Sequence, residues 1–179
     1  SRQKLLAEMT REMEGYNQSV RRAVQYAAQR RMAGVKGVLT QLISVPQKFE
    51  TAIDMALGAA QQNIVTDNEE TAKQLIDFLR QNRFGRATFL PMSAVRSKLL
   101  SDRERQALRL PGCLGVASEL VSCAPEYRGI VENLLGRTVI AEDLDKGIAI
   151  MRAGGHSFRL VTLVGDVMHS GGSMTGGST

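Results

Sequence analysis

The apolar residues near the N-terminus fall at Leu6, Met9, Met13, Tyr16, Val20, Ala23 and Ala27, in alternating steps of three and four. This spacing keeps one stripe of a helix apolar. It fits the a/d seam of a coiled coil, and equally an amphipathic helix packed on a folded domain. Gly15-Tyr16-Asn17 is turn-like rather than helical, so a separate helix over Ser19 to Arg31 is expected. Ala33-Gly34-Val35-Lys36-Gly37 then ends the helical region.

Beyond that point the chain repeats itself. Gly37-Val38-x-x-x-Leu42-Ile43-Ser44 recurs as Gly115-Val116-x-x-x-Leu120-Val121-Ser122, and Phe49, Ile53, Leu57 and Gly58 recur as Tyr127, Val131, Leu135 and Gly136, all at an offset of 78 residues. With small deletions, Val65-Thr66-Asp67 matches Ile140-Ala141-Glu142, and Arg86 to Leu90 matches Arg159 to Leu163. Each copy reads as a short strand or loop and a helix with apolar positions four apart that stops at a glycine. A β-branched run follows, then a second amphipathic helix (Ala72, Leu75, Ile76 and Leu79; Ile148 and Met151) and a closing strand, Arg86 to Leu90 or Phe158 to Val164. The expected fold is therefore α+β: two related subdomains, each a small mixed sheet with helices on one face, preceded by a helical segment whose seam fits the end of a coiled coil. The boundaries are 1–33 for the arm end and junction helix, 34–92 for the first subdomain, 93–111 for a connector with a polar helix around Ser101 to Gln106, and 112–179 for the second subdomain.

Composition narrows the class. A chain of 179 residues that is 43% hydrophobic can bury a real core. No window approaches a membrane span and the N-terminus has no signal-type apolar run, which argues against insertion and secretion. Ser1 in place of Met points to a piece of a longer polypeptide. Cys113 and Cys123 fit no metal spacing and are too few for a disulfide framework, so ordinary thiols in a reducing cytoplasm are expected. The net charge of +5 is concentrated at one end: Arg2, Lys4, Arg11, Arg21, Arg22, Arg30, Arg31 and Lys36 face only Glu8, Glu12 and Glu14 within residues 1–36, and the rest of the chain sums to zero. A polyanion, if bound, should be met there.

Four glycines lie between residues 171 and 177, in Gly171-Gly172-Ser173-Met174-Thr175-Gly176-Gly177. Bare backbone admits close approach by a phosphate or a second chain, and it also describes a flexible tail. No lysine follows as in a phosphate loop. Catalytic chemistry has little to build on. His156 and His169 lack a carboxylate or cysteine at ligand or triad spacing, and Asp67 and Glu142 occupy equivalent helix-start positions where capping or first-turn charge accounts for them. No catalytic residue, cofactor site or metal site is expected.

A basic helical segment, two related halves and a glycine-rich end together resemble the hinge domain of bacterial Structural Maintenance of Chromosomes (SMC) proteins. The resemblance rests on Gly37-Val38 with Leu42-Ile43-Ser44-Val45-Pro46, on Ala52-Ile53 and Ala56-Leu57-Gly58, on the run Asn82 to Pro91, on Val161 to Asp166, and on Gly171 to Gly177, and covers nearly the whole chain. It implies a non-enzymatic hinge that joins two coiled-coil arms and homodimerises, with the halves of one hinge meeting the opposite halves of its partner. It implies ATPase heads elsewhere in the parent chain, a role in chromosome condensation and segregation, and a cytoplasmic, nucleoid-associated location. Gly171, Gly172, Ser173, Met174, Thr175, Gly176 and Gly177 would form one side of the interface, and Arg83, Gly85, Thr88 and Phe89, on the closing strand of the first half, the counterpart. It further implies sequence-independent DNA contact, for which Arg21, Arg22, Arg30, Arg31 and Lys36 are the matching residues, with Arg96, Lys98, Arg103 and Arg105 weaker because Asp102 and Glu104 sit among them. The competing readings are a dimeriser that binds no DNA and a small-ligand α/β enzyme built on the glycine stretch.

Overall fold

The computed structural model describes residues 16–178, so Leu6, Met9 and Met13 of the N-terminal seam lie outside the described residues. The elements run α1 (Gln18–Gln29), β1 (Val35–Val38), a helical turn (Leu39–Leu42), β2 (Ile43–Ser44), α2 (Glu50–Leu57), β3 (Ile64–Thr66), α3 (Glu69–Asn82) and β4 (Phe89–Pro91). They continue with α4 (Asp102–Ala107), β5 (Cys113–Val116), β6 (Ser122–Cys123), α5 (Arg128–Leu135), β7 (Thr138–Ala141), α6 (Leu144–Ala153), β8 (Arg159–Thr162), β9 (Val167–Met168) and β10 (Met174–Thr175).

The chain packs as two units, each assembled from two separate segments. Among the described residues the first comprises 16–39 together with Gln62–Ala94, and the second comprises Thr40–Gln61 together with 95–178. Thr40–Gln61, which the linear boundaries assign to the first subdomain, thus packs in the second unit, where α2 buries Ile53 and Leu57 and contacts β8 and α5.

In the first unit β3 lies between β1, antiparallel to it, and β4, parallel to it. Helix α1 buries Val20, Ala23, Val24 and Ala27 against Val38, Ile64, Leu75 and Leu79. For residues 20–27 the three-four spacing therefore describes an amphipathic helix packed on its own domain, and burial of those side chains stabilises the unit. In the second unit the sheet order is β10-β9-β8-β7-β5, with β7 and β8 parallel and the other neighbours antiparallel; β2 and β6 form a separate two-stranded ribbon. Helix α6 covers one face through a core that includes Ile150, Met151, Phe158, Leu160 and Met168.

The internal repeat is visible in detail. Both first strands carry a bulge at the same place, between Val35 and Gly37 and between Cys113 and Gly115, and the two glycines have φ of 137° and 138°, which favours residues without a Cβ. The second helix of each copy is capped one residue later than expected: Asn68 and Asp143, rather than Asp67 and Glu142, accept the N–H groups of Thr71 and Lys146 at 3.0 and 2.9 Å. Asp67 instead accepts the Thr71 hydroxyl at 2.6 Å, and that bond is the main cause holding its carboxyl below the usual range. The closing strands are shorter than the sequence pattern indicates, because Arg83 turns left-handed at φ 53° to end α3 and only Phe89–Pro91 then pairs with β3. Pairing of Ile64 with Phe89 and of Val139 with Leu160 makes Phe89 the counterpart of Leu160, two residues out of step with the sequence match. The first helix of each copy does stop at a glycine, but Gly58 is left-handed and Gly136 is not; at Gly136 a Cβ would run into the Lys98 and Glu132 carbonyl oxygens.

The connector is fastened to the second unit. Ser97 donates to Glu132 at 2.9 Å, the Asn133 amide to the Arg96 carbonyl at 2.8 Å, and Arg137 to the Leu99 carbonyl at 3.0 Å. Its helix is confined to α4, which opens with a capping box between Ser101 and Glu104.

Candidate functional site

The glycine stretch is ordered structure. The N–H of His169 reaches the Ser173 carbonyl at 2.8 Å and that of Gly172 the His169 carbonyl at 3.0 Å, closing a tight turn between β9 and β10. Gly171 occupies the turn at φ 92° and donates its N–H to the His156 carbonyl at 2.8 Å. A type II turn needs φ > 0 at this position, which glycine supplies without strain. Gly176 answers a different constraint: a Cβ there would lie 2.5 Å from Asp166 Oδ1, and the same oxygen accepts the Gly177 N–H at 3.4 Å. These two glycines are therefore required by the chain itself. Sequence reasoning missed Asp166 and the His156 carbonyl as the groups that hold the hairpin; the only signal was the Gly165-Asp166 pair after a β-branched run. His169 Nε2 and Thr175 Oγ1 lie 3.0 Å apart across the hairpin, so both histidines have structural places in it.

Strand β10 is the outer strand of the five-stranded sheet. The bond between His169 and Ser173 turns the Ser173 backbone inward, and alternation turns the backbone N–H and C=O of Met174 and Gly176 outward. Gly171, Ser173, Met174, Thr175, Gly176 and Gly177 have exposed or half-exposed surface, and Gly172 has only the His156 ring within 4 Å of an added Cβ. Strand β4 is likewise an outer strand, in the first unit. The Ile64 N–H bonds the Thr88 carbonyl at 3.0 Å and the Met92 N–H bonds the Thr66 carbonyl at 2.8 Å, which leaves the Phe89 N–H and C=O pointing outward. Among the described residues no strand pairs with the outer side of either β10 or β4. Of the counterpart residues named from the sequence, only Phe89 lies in β4; Arg83 is the left-handed cap of α3, and Gly85 and Thr88 lie in the loop between them. The chain turns away from the helix at Arg83 and Gly85, so it joins the sheet later than the sequence pattern places it.

The basic residues lie along α1 and just beyond it. Arg22 stacks over the Phe84 ring at 4.6 Å and Arg30 over the Tyr26 ring at 4.9 Å. Tyr26 stacks on Phe78 at 3.9 Å between centroids, and Phe78 meets Phe84 edge-on at 5.6 Å, so the two cations flank one aromatic ridge. Arg31 follows the helix at φ 52°, Arg21 is half-buried on α1, and Lys36 lies on β1 close enough to Asp67 to help lower its carboxyl pKa. Among the described residues none of Arg21, Arg22, Arg30 and Arg31 forms a salt bridge.

Other polar groups in the second unit are matched internally. Arg137 grips Glu104 with two bonds of 2.8 and 2.7 Å, and Ser157 donates to the same carboxylate at 2.5 Å. The guanidinium is the main cause that pulls the Glu104 pKa down to about 2. Arg128 is bound to the Ser118 and Val121 carbonyls. Burial raises the Cys113 thiol pKa, the opposite of what a reactive thiolate needs. Among the described residues there is no cluster of three or more His, Cys, Asp and Glu able to hold a metal ion, and no helix is long and apolar enough to cross a membrane.

Comparison with known proteins places this architecture. Residues 32–151 match the model of the SMC proteins Flexible Hinge Domain family. The chain is 46% identical over 179 residues to the Chromosome partition protein Smc of Bacillus subtilis (strain 168), covering 99% of this chain and 15% of that protein. It is 38% identical over 174 residues to the protein of the same name from Halothermothrix orenii, covering 97% of this chain and 14% of the relative. It thus spans only a small part of these relatives. Among solved structures, an asymmetric dimer of the Geobacillus stearothermophilus SMC hinge domain matches with a TM-score of 0.89 and 42% identity over 99% of this chain and 72% of that one. The Pyrococcus furiosus SMC hinge domain matches with a TM-score of 0.73 and 27% identity, over 97% and 86% of the two chains.

Proposed function

The chain belongs to the SMC hinge family, and from that premise we propose that it is the homodimerisation hinge of a chromosome partition SMC protein. Two copies associate through the outer strands, β10 of one against β4 of the other, and join the two coiled-coil arms of a cytoplasmic, nucleoid-associated assembly whose ATPase heads lie elsewhere in the longer chain. The hinge itself carries out no catalysis. The observation that supports the reading is the pair of open strand edges with outward N–H and C=O groups at Met174, Gly176 and Phe89, flanked by Gly172 and Gly177, where no side chain stands in the way of a second backbone. A dimer formed in this way satisfies edges that would otherwise template aggregation. Arg83, Gly85 and Thr88, which lead from α3 into β4, and Ser173 and Thr175 of the hairpin complete the proposed interface.

The second part of the proposal is sequence-independent contact with DNA through Arg21, Arg22, Arg30, Arg31 and Lys36. Clustered cations release counterions from phosphates whatever the base sequence. The alternative, a dimeriser without DNA binding, finds support in the stacking of Arg22 and Arg30 on aromatic rings, which gives both a structural task.

Sedimentation equilibrium with and without duplex DNA at two salt concentrations tests both parts. The expected result is a dimer at micromolar concentration that becomes monomeric with Gly172→Glu, circular dichroism showing that the variant is still folded; Gly176→Glu, which also meets Asp166, should lose the dimer together with stability. Replacing Arg21, Arg22, Arg30 and Arg31 with alanine should leave the dimer intact, weaken DNA binding and flatten the salt slope by about 0.9 for each phosphate that is no longer neutralised. A wild-type chain that sediments as one copy at high micromolar concentration refutes the dimer. An unchanged slope removes the arginines from the DNA site.

A further inference from the structure

The two outer strands differ in what their side chains offer. β10 carries a single large side chain, Met174, among serine, threonine and glycine, and it is 50% exposed. Beside β4 the first unit has a cavity of about 270 Å³ lined by Ile76, Leu79, Arg80, Gly85, Arg86 and Ala87. Ile76, on the rim, is 38% exposed although large and apolar. A lone apolar knob thus stands on one outer strand, and a pocket built by α3 and the loop that leads into β4 lies next to the other.

The face on which each lies follows from register. Met174 stands directly opposite Met168, whose side chain belongs to the core under α6, so Met174 is on the α6 side of its sheet. Phe89 and Ala87 pack on the core formed with α1 and α3, which puts them on the α3 side of theirs. The crossover from β3 through α3 to β4 and that from β7 through α6 to β8 are repeats of one unit, each joining parallel neighbours. Turning one sheet so that β10 meets β4 antiparallel keeps α6 and α3 on the same side; a parallel match would put them on opposite sides. In the antiparallel register that joins the outward N–H and C=O of Met174 to those of Phe89, Met174 lies one pleat from Ala87 and the pocket.

Resting on the edge-to-edge dimer above, we propose that Met174 of each copy inserts into the Ile76–Leu79–Ala87 pocket of a second copy and sets the affinity and register of the dimer. The unbranched thioether adapts to an irregular hole, and the stems of Arg80 and Arg86 close over it while their charged ends stay in water. The glycines let the backbones meet, and Met174 supplies the apolar contact that the bare strands lack.

The test is dimer affinity by sedimentation equilibrium, together with cross-linking between copies. The contact occurs twice in a two-fold dimer, so Met174→Ala should weaken association by roughly tenfold per contact and about a hundredfold in all, while Met174→Leu stays close to wild type. In a Cys113→Ser, Cys123→Ser background, Met174→Cys chains co-expressed with Ile76→Cys chains should give a covalent dimer with a short bismaleimide, and neither should do so alone. Unchanged affinity of Met174→Ala in a chain that still dimerises, or no cross-link in such a dimer, overturns the pocket contact and leaves the edge pairing standing. A monomeric wild-type chain would instead overturn the edge pairing itself.

Discussion

The Glu104–Arg137 clamp allows a prediction whose size and pH dependence both come from geometry. Glu104 caps α4, and its side chain is only 12% exposed, held by two guanidinium bonds, the Ser157 hydroxyl and the Ser101 N–H. Its pKa falls from 4.5 to about 2 on folding. A depressed carboxyl pKa stabilises the folded state fully above the unfolded value, and the contribution is lost as pH drops through the folded one. The full shift corresponds to about 3 kcal/mol at neutral pH. Arg137 is 37% exposed, and water screening reduces that to about 1–2 kcal/mol. Glu104→Gln keeps the size and one acceptor but removes the charge. At pH 7 it should lower the Tm by about 2–8 °C for a chain of this length. By pH 3, where the unfolded carboxyl is already protonated, the gap between wild type and variant should shrink by more than half. Calorimetry at pH 7, 4 and 3 reads both numbers, and a Tm difference that stays constant over that range refutes the assignment of the clamp to charge.

Three further outcomes are expected. Asn68→Ala and Asp143→Ala, at equivalent caps of the two repeats, should each cost about 1 kcal/mol in urea unfolding, whereas Glu142→Ala should cost less than half of that. Gly34→Ala places a Cβ 2.5 Å from Asp67 Oδ1 and 2.7 Å from Thr71 Oγ1, so it should lower the melting temperature; adding Thr71→Ser, which keeps the hydroxyl, should not restore it. Arg22→Ala and Arg30→Ala should each lose about 0.5–1 kcal/mol of stability through the ring contacts, while Arg31→Ala, which stacks on no ring among the described residues, should leave the unfolding curve unmoved.

Much of this protein is written locally in the chain. The helix over residues 18–29, the repeat with bulge glycines at 37 and 115, the second helices with their acidic or amide starts, and the β-branched strands all follow from period, capping chemistry and glycine placement, which depend on neighbours a few residues away. The glycine hairpin was visible as a place of close approach, but not its cause: Asp166 beneath Gly176 and the His156 carbonyl at Gly171 are ten and fifteen residues distant and meet them only in the folded sheet. Tertiary structure alone decided that α2 packs in the second unit, that Phe89 aligns with Leu160 rather than Thr162, and that Met174 and Phe89 turn their backbone groups outward. Strand register and burial are settled by contacts between segments far apart in sequence, and a shift of two residues preserves every local pattern while changing which residues stand at the sheet edge.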